Sequence, residues 1–188
     1  MRGALGHADS ARERIARVNT FARDNNNPYD LAAGRTFESW LYCSLREPER
    51  AEDAAMKALT IGEEHSFPFV QNMSRTMMDW TRAQLGNASE GVAIIRQGLA
   101  GFAETGTRMA ITDHLTRLAE AQALDGKVDD ALITIEEALQ ANLEELVFRP
   151  NALTCRGEVR LRLGQTELAE ADFREAIALA QNMQAKAW

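Results

Sequence analysis

The chain has 188 residues and a formal net charge of −7, with its acidic residues scattered among Arg and Lys and not gathered into a tail. Charge of that sign and spread describes solvated helix faces and disfavours nucleic-acid binding. No apolar run approaches a membrane span, Met1-Arg2-Gly3-Ala4-Leu5 lacks the apolar core of an export signal, and Cys43 and Cys155 read as buried thiols of a reducing compartment, so the expected setting is soluble and cytoplasmic.

Small residues recur at Ala11, Ala51, Gly91, Ala131 and Ala169, in three steps of 40 residues and one of 38. Four places after each comes Ile15, Ala55, Ile95, Ile135 or Phe173, then Val18, Ala58, Gly98, Ala138 or Ala176, then Asn19, Leu59, Leu99, Leu139 or Ile177. Offsets of zero, four, seven and eight mark one stripe of an α-helix. A fixed period of this length means a stack, in which each unit buries its apolar face against the next.

In chain order the pattern predicts nine helices, at roughly 9–24, 28–46, 49–65, 68–86, 88–104, 107–125, 128–145, 150–163 and 166–185, and no strand. The first carries Ile15, Val18 and Phe21 along one stripe without a hairpin partner of its own. The others form four antiparallel hairpins. Their internal turns fall at Gly86, Gly126 and Gly164, with Gly6 before the first helix and Arg46, backed by Pro48, in the second copy. Asn25-Asn26-Asn27-Pro28, Phe67-Pro68, Gly106-Thr107 and Arg149-Pro150 separate one hairpin from the next. The expected architecture is an all-α, α-α superhelix with a period of about 40 residues. It is expected to form one solenoid domain over 1–188: a partial repeat 1–27, then repeats 28–66, 67–106, 107–148 and 149–188.

Leu115, Leu118, Ala119, Gly126, Ala131, Ile135, Ala138 and Leu139 in the third full repeat resemble the tetratricopeptide consensus. So do Leu153, Gly157, Gly164, Ala169, Phe173, Ala176 and Ile177 in the fourth, whereas the first two copies match in their second helices alone. The strings Glu90 to Leu99, Thr105 to Arg108, Leu118 to Ala121 and Ala169 to Ile177 are more specifically similar to the C-terminal repeats of bacterial multidomain signalling proteins. In that family a nucleotide cyclase or a DNA-binding domain and an AAA-type ATPase module precede a tetratricopeptide tail. The resemblance implies an interaction or regulatory segment, since nothing here matches the cyclase's metal-binding carboxylates or the ATPase's phosphate loop. Leu5-Gly6 looks like the tail of a missing helix and relatives run on past Trp188, so the chain is expected to be a fragment or a short gene made from one.

Chemistry-bearing motifs are absent from the sequence. His7, His65 and His114 fall in different repeats without a second ligand at helical or hairpin spacing, and no Gly-rich run follows a strand. No catalytic residue, cofactor or metal is expected. The first helices carry the candidate binding surface: Thr36, Thr76, Thr116 and Thr154 recur in step, and four residues on stand Trp40, Trp80, Glu120 and Glu158. In tetratricopeptide proteins the matching positions face the concave groove, which implies an aromatic half and an acidic half suited to an apolar segment flanked by basic residues.

Other readings stay open at this level. Phe37, Trp40, Leu41 and Leu45, like Met73, Met77 and Trp80, also form apolar stripes, and the consensus register would bury Arg35, Glu38 and Tyr42. A rotation of about one residue in the first two repeats would instead pack both tryptophans between helices. The threonine hydroxyls could bond the preceding turn. The leading function is a noncatalytic protein-interaction or scaffold module with a protein or peptide partner, or a neighbouring domain of a parent signalling protein. The alternatives are an effector-sensing segment of a cyclase or ATPase-containing protein and an oligomerisation module. Ile15, Val18 and Phe21 at one end and Ile177, Met183 and Trp188 at the other leave apolar stripes for a homodimer contact.

Overall fold

The computed structural model describes Ala8–Met183. Within those residues the chain is all-α: α1 (Ala8–Asp24), α2 (Pro28–Ser44), α3 (Pro48–Glu64), α4 (Pro68–Gln84), α5 (Ala88–Glu104), α6 (Ile111–Leu124), α7 (Val128–Ala141), α8 (Arg149–Arg162) and α9 (Thr166–Asn182). A short 3-10 turn, Leu146–Phe148, leads into α8. No described helix is long and apolar enough to cross a membrane. The described helices match the nine expected from the period, and the packing divides them into two compact units, one ending at Thr107 and the next beginning at Arg108. The sequence reading treats 1–188 as one domain, whereas the helices cluster in these two units.

Proline opens the first turn of α2, α3, α4 and α8, where its missing N–H costs nothing and its fixed φ already suits the helix. The hairpin turns share one closing device. In the turn after α4 the Asn87 N–H reaches back to Arg82 O at 2.9 Å, and the same bond recurs from Lys127 to Gln122 O and from Gln165 to Arg160 O. This wrap puts one residue in the left-handed region, which Gly86, Gly126 and Gly164 enter without penalty. Arg46 takes the same place in the α2–α3 turn at φ 57°, with Glu47 N bonded to Tyr42 O at 3.0 Å. The period is thus obeyed by the backbone even where the glycine is missing.

The stripe of small residues is where the second helix of each hairpin lies against its neighbours. Ala51, Ala131 and Ala169 are wholly buried, Gly91 is buried and Ala11 is nearly so. At Gly91 a Cβ would lie 2.5 Å from the backbone oxygen of Asp79, so α4 and α5 touch closer than any side chain permits. In α2 the buried face runs through Ala32, Thr36, Ser39 and Cys43, while Arg35, Glu38 and Tyr42 stay half-buried. That is the one-residue rotation that the sequence left open. Its polar neighbours are matched, with Arg35 Nη1 on Glu38 Oε2 at 2.6 Å and Asn19 Nδ2 on the same oxygen at 3.0 Å.

Two boundaries differ from expectation by four residues, the largest differences among the described helices. α6 starts at Ile111 and not near 107, and α7 stops at Ala141 and not near 145. Both changes follow from Glu145, whose carboxylate accepts the Ala110 N–H at 2.6 Å and the Thr112 N–H at 3.0 Å, capping α6 from 35 residues away. For that reach α7 must end early; Arg108 Nη2 then bonds the exposed Ala141 carbonyl at 3.0 Å.

Candidate partner-binding faces

Each threonine of the recurring row uses its hydroxyl inside its own helix. Thr36 donates to Ala32 O at 2.9 Å, Thr76 to Met73 O at 2.9 Å, Thr116 to Thr112 O at 2.7 Å and Thr154 to Pro150 O at 2.9 Å. Thr36, Thr76 and Thr116 are buried, and Thr154 is half-buried. The groove expectation is corrected here: the first three threonines have no surface to offer a partner. Thr76 shows why the position needs a small residue, because a Cβ on Gly98 of α5 would come within 2.6 Å of its methyl.

The two tryptophans separate. Trp80 is 1% exposed inside a cluster with Met73, Met77 and Phe102, and the Arg46 guanidinium lies 5.5 Å from its ring centre. As an aromatic platform it is likewise corrected, since it is buried in a cluster to which α2, α3, α4 and α5 all contribute. Trp40 packs at the margin of the same cluster and remains half-buried. It stacks on Phe37 at 6.0 Å with an interplanar angle of 26°, and Phe37 is 39% exposed. The Phe37–Trp40 pair is thus one accessible aromatic surface on α2; Tyr29, 45% exposed and edge-on to Phe67, is another at the start of the helix. Sequence reasoning read Phe37 as core, although its three-residue spacing from Trp40 was the available signal for a paired face.

The acidic positions separate as well. Glu158 on α8 is exposed, whereas Glu120 on α6 is 9% exposed. Three and seven residues before Glu120 stand residues of mixed sign: Arg117 Nε bonds Asp113 Oδ2 at 3.0 Å, with both side chains buried. The α6 face is thus a buried ion-pair row and not an acidic strip. The spacing of Asp113 and Arg117, acid before base by four, was visible in the sequence and was not used. His114 on the same helix is wholly buried. Burial pushes its pKa from 6.5 down to about 4, against the raising influence of Asp113, so the ring is neutral near pH 7.

At the candidate self-association ends, Val18 and Phe21 on α1 are 47% and 64% exposed, and Ile15 is half-buried. On α5 the corresponding positions are Gly98 and Gly101, pressed against α4. On α9 Ile177 is 58% exposed and Met183 half-buried; Trp188 lies outside the described residues. Among the described residues no group of three His, Cys, Asp or Glu side chains could hold a metal ion.

The chain is similar to BtubC (BKLC) from P. vanneervenii at 15% identity, with a TM-score of 0.67 over 97% of this chain and 80% of that one. It is similar to RapI in its apo form at 13% identity, with a TM-score of 0.65 over 98% and 79% of the two chains. A third likeness is to the TPR-like repeats of a kinesin light chain from P. anserina, at 16% identity and a TM-score of 0.59 over 97% and 91%. These likenesses establish the fold as a tetratricopeptide-like helical repeat. No family model matches the sequence, and no curated protein matches it.

Proposed function

We propose that the chain is a noncatalytic protein-interaction module that holds a partner segment on the exposed faces of its first helices. The observation that carries this reading is the Phe37–Trp40 stack on α2, a rigid aromatic pair with one ring 39% exposed on a helix whose opposite face is fixed in the core. Rigid aromatic surface of this kind anchors partners at small entropic cost. The net charge of −7 favours a segment with basic residues flanking its apolar anchor. The resemblance of Glu90 to Leu99 and of Ala169 to Ile177 to bacterial signalling proteins supports a cytoplasmic module whose partner is another domain of a larger signalling chain.

Selection of peptides from a display library should enrich apolar anchors with Lys or Arg flanks. Binding of the enriched peptides should weaken by about 30-fold in Phe37→Ser, the loss expected of an aromatic anchor worth about 2 kcal/mol. Enrichment without that pattern, or unchanged binding by Phe37→Ser, would refute the reading.

We propose a second contact on α1, where Val18 and Phe21 offer an apolar stripe to another copy of the chain. Light scattering across a dilution series should show a dimer that Phe21→Glu weakens; a monomer at every concentration removes it.

A further inference from the structure

One repeat position of the first helices is occupied by Ser39, Asp79, Ala119 and Gly157 in turn, and at Asp79 the backbone oxygen comes so near α5 that a Cβ on Gly91 would lie 2.5 Å from it. Three of these are small and carry no charge. In α2–α3, Ser39 Oγ donates to Ala51 O at 2.8 Å, and Gly91 stands one repeat on from that acceptor. Asp79 is 0% exposed, and neither of its carboxylate oxygens has a hydrogen-bond partner.

The charged groups around it are engaged elsewhere. Arg82 on its own helix pairs with Glu52 of α3 at 3.6 Å and Glu90 of α5 at 2.6 Å, and Arg75 pairs with Glu63 of α3 at 3.1 Å. An ionised carboxylate here would be a buried charge without a donor, and such a charge is strongly unfavourable. A protonated carboxyl instead carries an O–H that can donate as the Ser39 hydroxyl does.

We propose that Asp79 is a proton-operated latch in the α4–α5 hairpin: protonated, it is accommodated between the helices, and on ionising it weakens the contact that holds α5 on α4. Burial is the largest influence on the carboxyl, with Glu90 acting in the same direction and Arg82 and Arg75 opposing; together they raise it from 3.8 to about 8. Because the folded value lies above the unfolded one, the hairpin is most stable below pH 3.8, loses stability as pH rises toward about 8, and changes no further above that. His114 shifts the other way and acts mainly below pH 6.5; both the wild type and Asp79→Ser carry it, so the difference between them isolates Asp79.

Urea unfolding of the full chain, followed by tryptophan fluorescence near pH 6.5 and 8.5, tests the latch. Relative to Asp79→Ser, which restores the side chain found at position 39, the wild-type unfolding constant should rise roughly 30-fold across that window. Parallel pH profiles for the two proteins would overturn the proposal. If Asp79→Ser does not fold, carbon-13 NMR of the wild-type carboxyl decides alone: a transition near pH 8 supports the latch, and one near pH 4 overturns it.

Discussion

Hairpins α4–α5 and α8–α9 each bury one aspartate, and they treat it in opposite ways. Asp172 on α9 is 2% exposed beneath two guanidinium groups: Arg156 donates to Oδ1 from Nε at 3.0 Å and from Nη2 at 2.6 Å, and Arg160 donates to Oδ2 from Nη1 at 2.8 Å. Asp79 on α4 is buried as deeply with no donor on either oxygen. A buried carboxylate is therefore no statement about stability until its donors are counted. In α8–α9 the acid ties the two helices together. In α4–α5 it makes no such tie, and Gly91 gives up a side chain to make room for the α4 backbone.

The largest expected effect breaks the satisfied side of this comparison. Asp172→Ala removes the carboxylate shared by both guanidinium groups, whose side chains are 19% and 14% exposed, and should cost about 3 kcal/mol in chemical denaturation. A loss below about 1 kcal/mol would place the pair with solvated surface bridges. A smaller effect is expected at Ala131, the counterpart of Gly91 in α6–α7, where Ala131→Leu overpacks a wholly buried contact and should cost on the order of 1–3 kcal/mol. The smallest sharpens the role of Arg160, which also lies 3.6 Å from the half-exposed Glu136. Glu136→Ala should change stability by less than about 0.5 kcal/mol. If it matched Ala131→Leu, both the stripe and the primacy of Asp172 as the partner of Arg160 would be wrong.

The sequence was most readable where a rule depends on local chain geometry. The stripe through Ala51, Gly91, Ala131 and Ala169 is buried as its spacing implied, and the turns at Gly86, Gly126 and Gly164 close as their residue type implied. Candidate surfaces were less readable because one period admits two rotations of a helix. Trp40 and Trp80 share a repeat position, yet one is half-buried beside Phe37 and the other is enclosed by Met73, Met77 and Phe102. Glu120 and Glu158 likewise share a position, and only Glu158 is exposed.

The sequence by itself determined the all-helical repeat, its period and nearly every helix boundary, because hydrophobic spacing, proline starts and left-handed turns act over a few residues. The tertiary structure decided what lies far apart in sequence. Glu145 caps α6 across 35 residues and so shortens α7, Arg156 and Arg160 satisfy Asp172 across the α8–α9 hairpin, and Asp79 meets α5 with no such partner. Those outcomes depend on which side chains converge once the helices have packed. A carboxylate carries the same letter whether two arginines or none arrive beside it, and its energy differs by several kcal/mol between the two cases.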